Sequence, residues 1–175
     1  MRYCGLSLYG LPKRYLYMLG NLLIAIICFG VDRFSKRLVL ARCAWGVSYP
    51  ITSFCNVELA ANYGVAFSWF SKAGTAVIAI SLMVATAVVA WLLSEWLKDG
   101  RECRLSCGYR VASAVLLGGI LGNGVDRWCY GMVIDFIALH WDNRWYFPIF
   151  NIADVWITVG AFVLLLVSGL DGSER

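Results

Sequence analysis

Charge is scarce in this chain of 175 residues. Asp, Glu, Lys and Arg together make up 15% of the sequence, whereas 61% of the residues are hydrophobic. Soluble domains carry about 25% charged and about 45–50% apolar residues. A soluble fold of this length buries about two thirds of its surface, so it could not remove this much apolar side chain from water. Soluble, disordered and fibrous classes are therefore excluded, and the length predicts one compact membrane domain with a few spans.

Histidine is almost absent, and the cysteines form no paired metal-binding motif. His140 is the sole histidine, which excludes a multi-histidine metal site and leaves one base for a Ser–His mechanism, for which no Gly-x-Ser-x-Gly segment exists. Cys103 and Cys107 have no second ligand pair, so no metal is predicted. Cys43 and Cys55 stay open between a disulfide in an oxidising space and two unpaired thiols.

Four long apolar runs are present, and they predict four transmembrane helices at about residues 15–32, 73–95, 109–127 and 153–170. Only the second run reaches the about 20 residues that cross a bilayer core without help from its flanks. The first lacks a small-residue cleavage site and is interpreted as a retained anchor. Residues 1–175 are therefore expected to form a single integral membrane domain.

The basic residues predict the orientation of these spans. The N-terminus, the connection Glu95–Arg110 and the tail hold eight of the fifteen Lys and Arg at a higher density than the two other loops. Positive residues favour the cytoplasmic side, so both termini are predicted to be cytoplasmic. Alternation of the spans then places Asp32, Asp126 and Asp154 at the outer face. The basic residues form no patch interleaved with aromatics, so nucleic acid is excluded as a partner.

The two outer segments differ from plain linkers. Residues 41–70 contain rough apolar–polar alternation with β-branched residues, which predicts short half-buried strands in a small extramembrane cradle. The segment Trp128–Phe150 is rich in aromatics, which suit the headgroup layer, and it contains a further acid, Asp135.

Acids in apolar surroundings are costly unless they are paired. Two carboxylates in a partly desolvated site share one proton, so the pair can supply an acid and a base to a water that attacks a carbonyl, as in an aspartic protease. The alternative is structural: Asp126 could pair with Arg127, and Asp154 could be a cap or first-turn acid of the fourth helix. Asn123 and Asn151 weaken that alternative. Each precedes an acid by three residues, a spacing that places both side chains on one face of a helix and indicates a hydrogen-bonded polar site. Taken alone, these residues favour Asp154 and Asp126 as the reactive acids.

The polar motifs together resemble one known family, signal peptidase II, the bacterial prolipoprotein signal peptidase. Five segments are similar to that family's sequence boxes and follow in the same order, which makes the resemblance specific. They are Asp32–Lys36, Asn62–Phe67, Gly122–Arg127, Val133–Phe136 and Phe150–Asp154.

The resemblance implies an all-α membrane protein of four transmembrane helices with a small β-cradle, and an aspartic endopeptidase in the bacterial inner membrane with its site near the outer leaflet. It implies a catalytic dyad of Asp135 and Asp154, which promotes Asp135 over Asp126. The implied substrate is a diacylglyceryl-modified prolipoprotein cut before the lipidated cysteine, by a monomer that needs no metal or cofactor. The implied substrate-binding or site-supporting residues are Asp32, Lys36, Asn62, Asn123, Asp126, Arg127 and Asn151.

Two other classes of function remain open at this stage. A small proton-coupled transporter is the main alternative, although transporters usually place their acids near the bilayer midplane. A non-catalytic scaffold is the third, and it predicts that both dyad acids tolerate replacement by Asn.

Overall fold

The computed structural model describes residues 13–64, 74–102, 106–141 and 145–172. These residues contain four helices and four short strands. The helices are α1 (Lys13–Arg42), α2 (Gly74–Glu102), α3 (Cys107–Tyr130) and α4 (Ile152–Gly172), and the strands are β1 (Ser48–Pro50), β2 (Cys55–Asn62), β3 (Val133–Trp141) and β4 (Trp145–Tyr146). Residues 65–70 of the predicted cradle, Val65–Phe67 of the second sequence box and Cys103 lie outside the described residues.

Each predicted span overlaps one helix, but the helices are longer than the apolar runs. The largest difference is in α1, which continues ten residues past Asp32 to Arg42. It continues because Asp32 and Lys36 form an ion pair across one helical turn, so the charges that close the apolar run do not end the helix.

The strands form one antiparallel sheet in the order β1-β2-β3-β4. The alternation in residues 41–70 correctly predicted β1 and β2. The nine-residue β3 was not predicted, although it is the longest strand described and contains Asp135. Val133, Ile134, Asp135 and Phe136 are all buried, so β3 is covered on both faces and shows no alternation. The described fold is therefore mostly helical with a small antiparallel sheet, in agreement with a helical protein that carries a small β-cradle.

Helix α3 packs against the other three helices. Glycines allow the close approach, since a Cβ on Gly118 would lie 2.6 Å from Cys28 Cβ and one on Gly160 would lie 2.8 Å from the Leu116 nitrogen. At the end of α3, Gly131 adopts a φ of 68°, a left-handed cap that turns the chain directly into β3.

Much apolar surface faces outward on the helices. Phe34 is 68% exposed on α1, Met83 69% on α2 and Leu165 73% on α4. By length and composition, one helix in the described part of the chain, Tyr15–Arg42, could cross a membrane, and Ile152–Ser168 is a shorter apolar helix.

Candidate active site

Asp135 is held in β3 by two side-chain amides. Asn151 Nδ2 donates to Asp135 Oδ1 at 2.6 Å, and Asn62 Nδ2, at the end of the neighbouring β2, donates to Oδ2 at 2.9 Å. The side chain has almost no contact with solvent, with 2% of the residue exposed. Each oxygen of this buried carboxyl group therefore accepts one amide N–H.

Burial raises the pKa of Asp135 to about 6, because the charged form loses its hydration. The nearby charge of Asp154 raises this pKa further, whereas the hydrogen bonds from Asn62 and Asn151 and the charge of Lys36 lower it. A carboxyl group with a pKa near 6 can hold and release a proton near neutral pH, as a general acid requires.

Asp154 lies in the first turn of α4 and forms a capping box with Asn151. The backbone N–H of Asp154 donates to Asn151 Oδ1 at 3.0 Å, and the backbone N–H of Asn151 donates to Asp154 Oδ2 at 3.0 Å. Asn123 Nδ2 on α3 donates to the other oxygen, Asp154 Oδ1, at 2.8 Å. The structural alternative for Asp154 is therefore correct as a description of the helix end, and the same contacts orient the carboxylate.

Asn151 joins the two acids, since it donates to Asp135 through its side chain and to Asp154 through its backbone. Its position beside β3 is set by its neighbour Phe150, whose carbonyl accepts the N–H groups of Phe136 and Ile137 at 3.0 and 2.8 Å. The charge of Asp154 also raises the pKa of Asp135, so the two carboxyl groups are electrostatically coupled.

Beneath this pair lies a buried cluster of four charges. Lys36 Nζ contacts Asp32 Oδ2 at 2.9 Å and Asp126 Oδ2 at 2.7 Å, and Arg33 Nη1 pairs with Asp126 Oδ1. The side chains of Asp32, Lys36 and Asp126 are fully buried. Two acids and two bases balance, which is the condition for burying charges.

The suggested ion pair between Asp126 and Arg127 is wrong. Asp126 pairs with Arg33 and Lys36 on α1, whereas Arg127 Nη1 donates a long hydrogen bond of 3.5 Å to the backbone oxygen of Asn123. Arg33 was missed as a site residue. Arg33 directly follows Asp32 in the sequence, but no local pattern identifies its partner Asp126, which is 93 positions away.

Gly122 makes room for this cluster. A Cβ at position 122 would lie 2.5 Å from Asp32 Oδ2, which is too close for any side chain. We expect Gly122→Ala to lower the free energy of unfolding by about 1–3 kcal/mol, because the ion pairs would have to shift. Thermal unfolding of the purified protein in detergent measures this. Gly124→Ala is the matched control, since a Cβ there meets nothing within 4 Å. Equal unfolding temperatures for the two variants would contradict this role.

Within the described part of the chain, no three His, Cys, Asp or Glu side chains are grouped so that they could hold a metal ion. Cys43 and Cys55 are both free thiols here.

Comparison with solved structures defines the class of this protein. A bacterial membrane enzyme solved by the in meso method at 2.3 Å has a TM-score of 0.74 and 27% identity, covering 89% of this chain and 91% of its own. A second, solved by the same method at 1.9 Å, has a TM-score of 0.68 and 26% identity, covering 84% and 90%. The fold is that of these two bacterial membrane enzymes, and the chain is a membrane protein.

Sequence comparison gives the family. The model of the family described as "Signal peptidase (SPase) II" matches residues 24–170. The lipoprotein signal peptidase of Chromobacterium violaceum is 38% identical over 143 residues, which are 81% of this chain and 86% of that protein. The one from Pseudomonas aeruginosa is 39% identical over 148 residues, which are 82% and 83% of the two chains. The chain belongs to the signal peptidase II family and is a peptidase.

Proposed function

We propose that this protein is a membrane aspartic endopeptidase that removes the signal peptide from diacylglyceryl-modified prolipoproteins, cutting before the lipidated cysteine. The observation that carries the proposal is the position of Asn151, which hydrogen-bonds both Asp135 and Asp154. The similarity to lipoprotein signal peptidases supports the choice of substrate.

The proposed chemistry uses the different surroundings of the two acids. Asp135 carries the shared proton, since its pKa is raised to about 6, and Asp154 carries the charge at the N-terminal end of a helix. Asp154 takes a proton from the water molecule, and the oxygen of that water bonds to the scissile carbonyl carbon. At the same time Asp135 gives its proton to the carbonyl oxygen. When the C–N bond breaks, the amine takes the proton from Asp154, and Asp135 regains its own from the hydroxyl.

The supporting residues fall into three groups. Asn62, Asn123 and Asn151 donate hydrogen bonds to the dyad. Arg127 lies on the last turn of α3 and is a candidate to contact substrate. The buried charges beneath the dyad, Asp32, Lys36 and Asp126, hold the backbone in place.

We further propose that residues 1–175 form one domain with four membrane spans, at about 15–32, 73–95, 109–127 and 153–170. The apolar side chains exposed on α1, α2 and α4 support this arrangement, because exposing so large an apolar surface to water is unfavourable. The density of basic residues favours cytoplasmic termini in the inner membrane, with the dyad near the outer leaflet.

Cleavage by purified protein is the direct test. A diacylglyceryl-modified precursor should lose its signal peptide, seen as a gel mobility shift, and the unmodified precursor should remain intact. A chelator should leave the rate unchanged, and the active species should elute as a monomer. If the unmodified precursor were cut equally well, lipid recognition would have to be abandoned.

The cleavage rate should depend on pH in a defined direction. The reactive dyad holds one proton, and the pKa of Asp135 is raised to about 6, so that proton is present below pH 6 and lost as the pH rises through this value. We therefore expect kcat to fall on the alkaline side with an apparent pKa near 6. Rates measured at constant substrate and detergent from pH 5 to 9 test this, and a rate that rose steadily across the range would contradict it.

A further inference from the structure

Lys36 lies at the centre of the buried charges and its ammonium group contacts three oxygen atoms. An ammonium group has three N–H bonds and accepts nothing. Lys36 Nζ donates a hydrogen bond to Asn123 Oδ1 at 3.0 Å and forms ion pairs with Asp32 Oδ2 at 2.9 Å and Asp126 Oδ2 at 2.7 Å. The side chain is fully buried, so no water competes for these contacts.

The two acids that form ion pairs with Lys36 also hold the backbone next to the dyad. Asp32 Oδ1 accepts the N–H of Ala153 at 2.9 Å, one residue before Asp154. Asp126 Oδ2 accepts the N–H of Ile134 at 3.3 Å, one residue before Asp135. Each acid of the cluster thus fixes the chain immediately ahead of one acid of the dyad.

The third acceptor controls the direction of a side-chain amide. Because Lys36 can only donate, the atom of Asn123 that faces it must be Oδ1, and Nδ2 then points at Asp154 Oδ1, 2.8 Å away. The same Oδ1 accepts from Asn151 Nδ2 at 3.1 Å, which also donates to Asp135. A donor-only group at one end therefore directs amide N–H groups toward both carboxyl groups.

We propose that Lys36 is a positioning residue that sets the geometry of both dyad acids without touching either one. This inference rests on the proposed dyad. The simpler role, neutralising Asp32 and Asp126, does not require the third contact, because that contact is to a neutral amide.

The test separates charge from geometry. Lys36→Met removes the ammonium group, and Lys36→Met with Asp32→Asn removes one positive and one negative charge, so the remaining Arg33–Asp126 pair is balanced. The Asn at position 32 can still accept the N–H of Ala153. Lys36→Arg keeps the charge, but a planar guanidinium cannot direct bonds at the same three acceptors. Lys98→Met, at a largely exposed lysine on α2, is the matched control.

For the folded double variant and for Lys36→Arg we expect kcat to fall on the order of 10- to 100-fold, as for small displacements of reacting groups, with KM changed little. Weaker donation to the carboxylates should also move the alkaline limb of the pH profile up by about one unit. The charged groups that act on Asp135 are Asp154 from α4 and Lys36 itself, and Lys36 forms ion pairs with Asp32 from α1 and Asp126 from α3.

The outcomes are separable. Wild-type kcat in Lys36→Arg, or recovery of kcat in the double variant, would show that Lys36 supplies charge alone and would overturn the inference. Elution profile and unfolding temperature identify variants that are folded. If Asp135→Asn is inactive while the Lys36 variants match Lys98→Met, only the positioning role fails. If Asp135→Asn remains active, the dyad itself fails.

Discussion

Asp135→Asn and Asp154→Asn should each reduce kcat by about 10²–10⁴-fold, which leaves little or no detectable cleavage. An amide can neither carry the shared proton nor take one from water, so each substitution removes one half of the acid–base pair, and such groups contribute about 10²–10⁴-fold. The measurement is the mobility shift of a diacylglyceryl-modified precursor, with equal amounts of folded enzyme in each reaction.

Glu95→Gln is the control for this pair of substitutions. It makes the same carboxyl-to-amide change at a residue on α2 whose described partner is Lys98 and which does not contact the dyad. We expect wild-type cleavage from it. Wild-type cleavage from either Asp→Asn variant would remove the aspartic mechanism and leave a non-catalytic role or a different nucleophile to be found.

Asn151→Ala should have the second largest effect, because this side chain serves both the dyad and the start of α4. Loss of the amide removes the donor to Asp135 Oδ1, and loss of its oxygen removes the acceptor for the N–H of Asp154. We expect kcat to fall at least about 100-fold and the free energy of unfolding to fall by about 1 kcal/mol, as for other N-cap losses. Kinetics and thermal unfolding measure the two effects separately.

Asn151→Ser separates the two roles. A serine oxygen caps a helix about as well as asparagine, but serine has no amide to reach Asp135. The unfolding temperature should therefore return close to that of the wild type while kcat stays low. If Asn151→Ser recovered kcat together with stability, the amide would be needed only as a cap, and its bridging role would be wrong.

The helices and the first two strands could be predicted because their signals are local. Long apolar runs mark the four helices, and alternation marks β1 and β2. Strand β3 was missed, since a strand buried on both faces has no alternation and its run of apolar residues is broken by Asp135 itself. The length of α1 was underestimated, because a pair of charges one helical turn apart neutralises itself within the helix.

The candidate site was predictable in composition but not in pairing. From the residues alone, Asp126 ranked above Asp135, since both of the favoured acids followed an asparagine at the same spacing. In the fold Asp126 forms ion pairs with Arg33 and Lys36, whereas Asp135 accepts hydrogen bonds from Asn62 and Asn151. The family resemblance, not the spacing, singled out Asp135.

The sequence by itself determined that this chain lies in a membrane, where its helices are, and which few polar residues stand at their ends. Only the tertiary structure decided which of those residues meet. Partners such as Asn62 and Asp135 are 73 positions apart, and Arg33 and Asp126 are 93 apart. A buried charge must find a partner, but several were available in the chain, and helix packing selected among them.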